Sequence, residues 1–158
     1  MIGLGLILLT ALPFIIYNVF KKVKKKKFLK NFILLSEKEK LKLTQIDIWN
    51  NCYAIGIDSD SKKLLYHNIK DEKGELVSID LTEVEQCRLV NTDRLYKINN
   101  PDKINNRIEI IFSFVNSCKP EKSLEFYKNA EFLPSVDDIS QAEIWVRNVN
   151  LNLKSNQN

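Results

Sequence analysis

The sequence predicts an α+β chain: an N-terminal transmembrane helix, an antiparallel meander of about seven strands, and a C-terminal helix. Three observations predict it. Ile2 to Phe20 is an apolar run without a charge, and it ends against a block of lysines. From Leu43 to Tyr127 apolar residues recur with a period near two, broken by polar turns at roughly ten-residue spacing. From Ile139 to Leu153 the apolar spacing changes to alternating threes and fours, the mark of an amphipathic helix.

The apolar run has about 19 residues, which a helix stretches over roughly 28 Å, close to the roughly 30 Å hydrocarbon core. A single helix satisfies its own backbone in lipid, and Pro13 is tolerated there. No Lys or Arg precedes the run and no Ala-x-Ala ends it, so it reads as a signal anchor and not as a cleaved signal peptide. The positive charge follows it. The positive-inside rule then places the N-terminus outside and residues 21–158 in the cytoplasm. Lys21, Lys22, Lys24, Lys25, Lys26, Lys27 and Lys30 are expected to contact anionic lipid headgroups, at roughly 1 kcal/mol per residue near the surface.

The formal charge of +4 describes this segment and not the rest. Seven of the 24 basic residues precede position 31, leaving 17 against 20 acidic residues beyond it. The remainder is mildly acidic, so nucleic acid is not an expected partner. Its length suits one domain with one core. Cys52, Cys87 and Cys118 are far apart, odd in number and without a CxxC pair, as expected of buried small hydrophobes in a reducing compartment. With His67 as the single histidine, zinc sites and His-based triads lack material.

Phe28 to Leu35 is an apolar patch that either continues the helix or forms a juxtamembrane turn. Ser36 to Glu39 has capping-box spacing and predicts a new short helix, the alternative being one long helix over Lys21 to Leu41. Strands are predicted on either side of Asn50-Asn51, the second being Cys52 to Asp58. Lys63 to Ile69 follows as its hairpin partner after the turn Asp58-Ser59-Asp60-Ser61. Glu75 to Leu81 and Val84 to Val90 come next, then a short edge strand at Arg94 to Ile98. Arg107 to Val115 alternates with Ile108, Ile110, Phe112 and Phe114 on one face. Ser123 to Tyr127 is the last strand, with Leu124 and Phe126 inward. Ser135 and Asp138 open the C-terminal helix. Its stripe is Ile139, Ala142, Val146, Val149 and Leu153, with Trp145 at the flank, where contact with Trp49 is expected. The tail from Ser155 is polar.

Motifs that carry chemistry are scarce. Asp58-Ser59-Asp60-Ser61 looks like the start of a calcium loop, but Lys63 and Ile69 occupy the positions where an EF-hand needs Gly and Glu. It is expected to be a hairpin turn. Asp80 with Glu83, and Asp137 with Asp138, are expected at a strand end and a helix start. Cys87 beside Arg88 lacks a histidine partner and is expected to be inert. No catalytic residue, cofactor site or metal site is predicted.

The stretch Tyr53-Ala54-Ile55-Gly56-Ile57-Asp58, the hairpin into Lys63-Leu64-Leu65-Tyr66, and Val77 to Val84 followed by Cys87 resemble bacterial pleckstrin-homology-like domains. So does Leu124-Glu125-Phe126-Tyr127 before the terminal helix. The whole chain is similar to a family of small bacterial membrane-anchored proteins. The resemblance implies a barrel of about seven strands over 43–154, closed by the terminal helix. With the apolar run and the lysine block, the chain divides into a span at 1–20, a basic and partly helical juxtamembrane segment at 21–42, the domain at 43–154, and a tail at 155–158. The resemblance also implies a binding or scaffolding module at the bacterial inner membrane and not an enzyme, with a protein partner. The alternatives are an accessory subunit of a larger membrane complex and a membrane-tethered enzyme. Headgroup binding by the first hairpin loop does not carry over, because Asp58 and Asp60 precede Lys62 and Lys63 there.

Overall fold

The computed structural model describes residues 2–70, 74–91, 106–129 and 134–154, with side chains other than those of 2–16, 106 and 154. The chain begins as one helix, α1 (Ile2–Lys38), of 37 residues. At 1.5 Å per residue it is about 55 Å long. Nothing between Phe14 and Lys38 breaks a helix: the stretch lacks glycine and proline and is rich in leucine and lysine. The helix ends on Lys40 in the left-handed conformation (φ 58°). The Leu41 N–H donates to Ser36 O (2.8 Å) and the Lys40 N–H to Glu37 O (3.0 Å). This is a Schellman ending, in which the apolar residue after the cap folds back on the last turn. Leu41 is accordingly buried with Phe32. Ser36 does not start a new helix; its Oγ donates back to Ile33 O (2.8 Å).

The helix corrects the expected transmembrane anchor. It does not stop at Phe20 but continues through the lysines. Among the described residues no helix is long and apolar enough to cross a membrane. The transmembrane helix at 1–20, the signal anchor, and the single-pass inner-membrane placement with N-terminus outside and cytoplasmic C-terminal domain are withdrawn on that finding. From Lys21 to Lys30 seven of ten residues of α1 carry an ammonium group, which hydrocarbon does not accept. The apolar side chains of 2–16 lie outside the described residues.

Among the described residues seven strands follow. β1 (Gln45–Trp49), β2 (Tyr53–Asp58), β3 (Lys63–Asn68) and β4 (Glu75–Asp80) form one antiparallel meander. β5 (Val84–Asn91), β6 (Asn106–Phe114) and β7 (Lys122–Asn129) form a second. The first turn uses Asn50 and Asn51 at φ 50° and 53°, the pair of left-handed residues that a tight hairpin turn demands. The second is organised by Asp58, whose Oδ1 accepts the N–H of Asp60 (3.0 Å) and of Ser61 (3.1 Å). The edge strand expected at Arg94 to Ile98 and the tail from Ser155 lie outside the described residues.

The expected closed barrel is also corrected: the described residues form two separate sheets, of four and three strands. Side chains, not ladders, hold them together. The outer edge of β7 meets donors from the first sheet. The Trp49 indole donates to Phe126 O (2.8 Å), the Tyr66 hydroxyl to Glu125 O, and the Lys70 ammonium to Lys128 O. Trp49 also stacks on Phe126, with ring centroids 4.5 Å apart. Each such donor serves one carbonyl and offers nothing back, so the edge is satisfied without a continuous backbone ladder.

The last helix, α2 (Val136–Lys154), covers a second edge. Ser135 Oγ accepts the Asp138 N–H (3.1 Å), while Asp138 Oδ2 accepts the Ser135 N–H (3.0 Å). This reciprocal cap fixes the start of the helix. Ala142, Trp145 and Val149 are fully buried in the main core with Ile55, Leu64, Ile108 and Phe112. Trp145 sits at the centre of the stripe, while Val146 is only half-buried. Its indole donates to Asp47 Oδ2 of β1 (2.8 Å), and the ring contacts of Trp49 are with Tyr53 and Phe126. Asn150 grips β5: its Oδ1 accepts the Cys87 N–H (3.1 Å) and its Nδ2 donates to Cys87 O (2.8 Å).

A smaller core lies on the other face of the first sheet. Phe28 and Phe32 of α1 pack there with Leu41, Ile48, Ala54 and Leu65. Ala54 of β2 and Leu65 of β3 belong to this core, and β2 is buried on both faces.

Candidate functional site

The sequence singles out the seven lysines of α1, and all seven are exposed. Successive residues of a helix turn by about 100°, so positions 21, 22, 24, 25, 26, 27 and 30 point in every direction around the axis. They form a collar about 14 Å tall and not a stripe. A stripe would leave a greasy face to lie in an interface. Here Val23 lies among the lysines, Tyr17, Val19 and Phe20 precede them by a turn, and all four are exposed.

The collar is joined rigidly to the folded domain. Directly after Lys27 the helix becomes buried, with Phe28 against the His67 ring (centroids 5.8 Å apart) and Phe32 fully enclosed. Burying two phenylalanines contributes several kcal/mol. The charged segment is thus the middle of an element whose C-terminal end belongs to the core.

The remaining sequence candidates are occupied by structural roles. Asp58 is buried, and besides its turn bonds it accepts the Lys42 N–H through Oδ2 (2.8 Å). Burial alone raises its pKa, but the backbone donors of Ser61, Lys42 and Asp60 outweigh burial and hold the carboxyl below the usual range. Oxygens filled by N–H donors are not free to ligate calcium. Among the described residues no group of three or more His, Cys, Asp or Glu is arranged to hold a metal. His67 Nδ1 lies 3.1 Å from Glu75 O, so that nitrogen carries the proton. Asp80 accepts the Thr82 hydroxyl and N–H at the end of β4, which lower its pKa against a burial effect of the opposite sign.

The thiols are equally quiet. Burial pushes Cys87 up to about 12, and its neighbour Arg88 points away to Glu121 (2.7 Å). Burial, opposed by Lys70, pushes Cys52 up to about 11. Cys118 is exposed in the turn between β6 and β7.

No family model, no curated protein and no solved structure matches the chain. The candidate site therefore rests on its geometry.

One polar constellation was not legible in the sequence. Glu109 and Glu125 are directly opposed on β6 and β7, an arrangement that repels. Arg107 offsets it, with one nitrogen 3.0 Å from Glu109 and another 3.7 Å from Glu125. The Tyr53 hydroxyl donates to Glu125 (2.8 Å), and Ser123 Oγ donates to Glu109. Burial first, then that bond to Glu125, pushes the Tyr53 phenol far above its usual range. These groups point at one another and hold the two sheets together. Their pairing depends on register across residues distant in sequence, which a spacing pattern does not carry.

Proposed function

We propose that the chain is a non-catalytic binding or scaffolding module, held against an anionic lipid surface by the lysine collar of α1. One observation carries this reading: the seven lysines are exposed around a helix whose next turns are buried in the domain. Seven ammonium groups within about three turns make a steep local positive potential. The rest of the chain is mildly acidic, so the two parts are drawn to such a surface unequally. The collar meets the headgroups and the domain is held off them. Because Phe28 and Phe32 fix the helix to the first sheet, the same sheets and turns are presented outward each time.

The pleckstrin-homology-like resemblance belongs to this proposal. It is supported by the order of elements, a four-strand meander, a three-strand meander and a terminal helix over the second. A non-catalytic role is supported by what the polar groups do: Asp58, Asp80 and Asp138 are engaged in turns and a cap. The test is partition of the full chain between vesicles of neutral phosphatidylcholine and vesicles that also contain anionic phosphatidylglycerol. The proposal expects a strong preference for the anionic vesicles that fades as salt rises, since exposed charges are screened over about 10 Å at 0.1 M. Equal partition at low salt overturns it.

A further inference from the structure

α1 is one helix, but its parts are held by different forces. From Phe28 onward it is packed, with Phe28 and Phe32 buried in the smaller core. From Val19 to Lys27 every side chain is exposed. Burial of an apolar face supplies most helical stability in proteins, and those turns lack it.

What remains is local, and it is adverse. Residues three and four apart are neighbours on a helix, and like charges in those positions repel. Lys21 and Lys25, Lys22 and Lys26, and Lys26 and Lys30 are four apart. Lys21 and Lys24, Lys22 and Lys25, Lys24 and Lys27, and Lys27 and Lys30 are three apart. No counter-charge relieves these seven pairs. No acidic residue precedes Glu37, and among the described residues none of the seven lysines belongs to an ion pair. At the usual cost of such a pair, together they lower the helix–coil equilibrium of the stretch by a factor of about ten to a few hundred at low salt. Against them stands the intrinsic gain of adding a residue to a helix, a factor of about 1–1.6 in good helix formers near 0 °C. Over the ten residues from Lys21 to Lys30 that amounts to between about one and about a hundred. The two factors are of similar size, so neutralising the charges decides the balance.

We infer that the turns from Lys21 to Lys27 are an electrostatic hinge, loosened in the free chain at low ionic strength and closed into the continuous helix by an anionic lipid surface. The inference rests on the lipid reading of the collar and adds a conformational consequence to it. A surface shifts this equilibrium only if it prefers the helical state. It does so because a helix stacks the charges at about 1.5 Å per residue, whereas an extended chain spreads them at about 3.3 Å. The denser state makes the steeper potential and gains more from the same anions. The packed joint at Phe28 and Phe32 sets the direction of the helix, and only a closed hinge carries that direction to the residues before it. Binding thus fixes the orientation of the domain on the surface as well as its presence there.

The test is far-ultraviolet circular dichroism of the full chain and of the double variant Lys21→Glu, Lys22→Glu. The variant turns four of the seven pairs from repulsive to attractive, with the acid on the N-terminal side, which is the better order. Both positions are exposed, and thermal unfolding checks that the domain is intact. Raising sodium fluoride from about 0.01 M to about 0.5 M shortens the screening length from about 30 Å to below about 10 Å. In the native chain this should raise the helical signal by at least one turn, about four residues. In the variant the signal should already be high at low salt and rise by less than half as much. At low salt, small vesicles containing phosphatidylglycerol should raise the native signal as salt does, and vesicles of phosphatidylcholine should not. Co-sedimentation of the same samples reports binding. Three results overturn the inference and leave the lipid reading standing: a native signal as high at low salt as at high salt, an equal salt response in the two proteins, or anionic vesicles that bind without raising the signal. Anionic vesicles that do not bind overturn the lipid reading, and closure of the hinge by lipid with it.

Discussion

Asn150 offers the sharpest test of how the sheets are held. Its amide makes two hydrogen bonds to the backbone of Cys87 on the open edge of β5. Replacing it with alanine removes both and leaves one N–H and one C=O of a half-buried strand edge without a partner. A neutral hydrogen bond contributes about 0.5–1.5 kcal/mol net, so the pair amounts to about 2 kcal/mol. The helix itself is expected to gain slightly, since alanine is the better helix former, by less than about 0.7 kcal/mol. Asn150→Ala should therefore lower the stability measured by urea unfolding by about 1–2 kcal/mol. Native-state hydrogen exchange sharpens the test. If the Cys87 amide opens only when α2 leaves β5, its protection should fall by roughly tenfold or more, in line with the loss of free energy. Amides of β2, enclosed by β1 and β3, should follow only the global change. A protein with unchanged Cys87 exchange and a loss below about 0.5 kcal/mol would refute the reading of α2 as an edge cap.

Three further outcomes follow from local geometry. Lys40 holds a left-handed conformation that costs an L-residue roughly 1–2 kcal/mol, so Lys40→Gly should raise the urea midpoint by an amount equivalent to about 1 kcal/mol; no rise would contradict the Schellman ending. In the folded protein, Ellman's reagent should label exposed Cys118 quickly and Cys87 only on unfolding, and rapid labelling of Cys87 would show that the α2–β5 seam is open. The folded pKa of Asp58 is depressed, so its contribution is present above the unfolded carboxyl value near 4 and is lost as pH falls through the lower folded value. Asp58→Asn should thus lower stability at neutral pH and flatten the acid limb of urea unfolding measured between about pH 5 and about pH 2; an unchanged acid limb would contradict this role.

Much of the fold was legible because its signals are local. The alternation of Ile108, Ile110, Phe112 and Phe114 is a period-two pattern and produces β6 with those side chains in the core. Asn50-Asn51 and Asp58 carry turn chemistry within three residues. Ser135 and Asp138 carry a helix cap over one turn. What was not legible depends on partners far away in sequence. Closure into a barrel was expected because strands and a helix in this order suggest one. Whether β7 pairs with a strand or with Trp49, Tyr66 and Lys70 is decided by contacts nearly eighty residues apart in one case. Asn150 looked like an ordinary polar residue on the last helix, and Trp145 like a flank of its stripe. Both became central because α2 sits over the β5 edge and not over the middle of a sheet.

The anchor was misread for a different reason. Its boundary at Phe20 was drawn from hydropathy, yet a helix ends where stop signals lie, and the first of these comes at Lys40. The lysines that looked like the far side of a boundary are the middle of one helix. Their role as a surface contact rests on exposure and on the rigid joint at Phe28 and Phe32.

The most direct measurement compares the full chain with a variant in which Lys21, Lys22, Lys24, Lys25, Lys26, Lys27 and Lys30 are all glutamine. Each is partitioned onto anionic and onto neutral vesicles, and the ratio of the two constants is taken, which removes uncharged contacts common to both. At roughly 1 kcal/mol per lysine near the surface, even three that reach the headgroups are worth about a hundredfold in that ratio. The account predicts a ratio of at least that size for the native chain at low salt and a ratio near one for the glutamine variant. Equal ratios for the two proteins would contradict it.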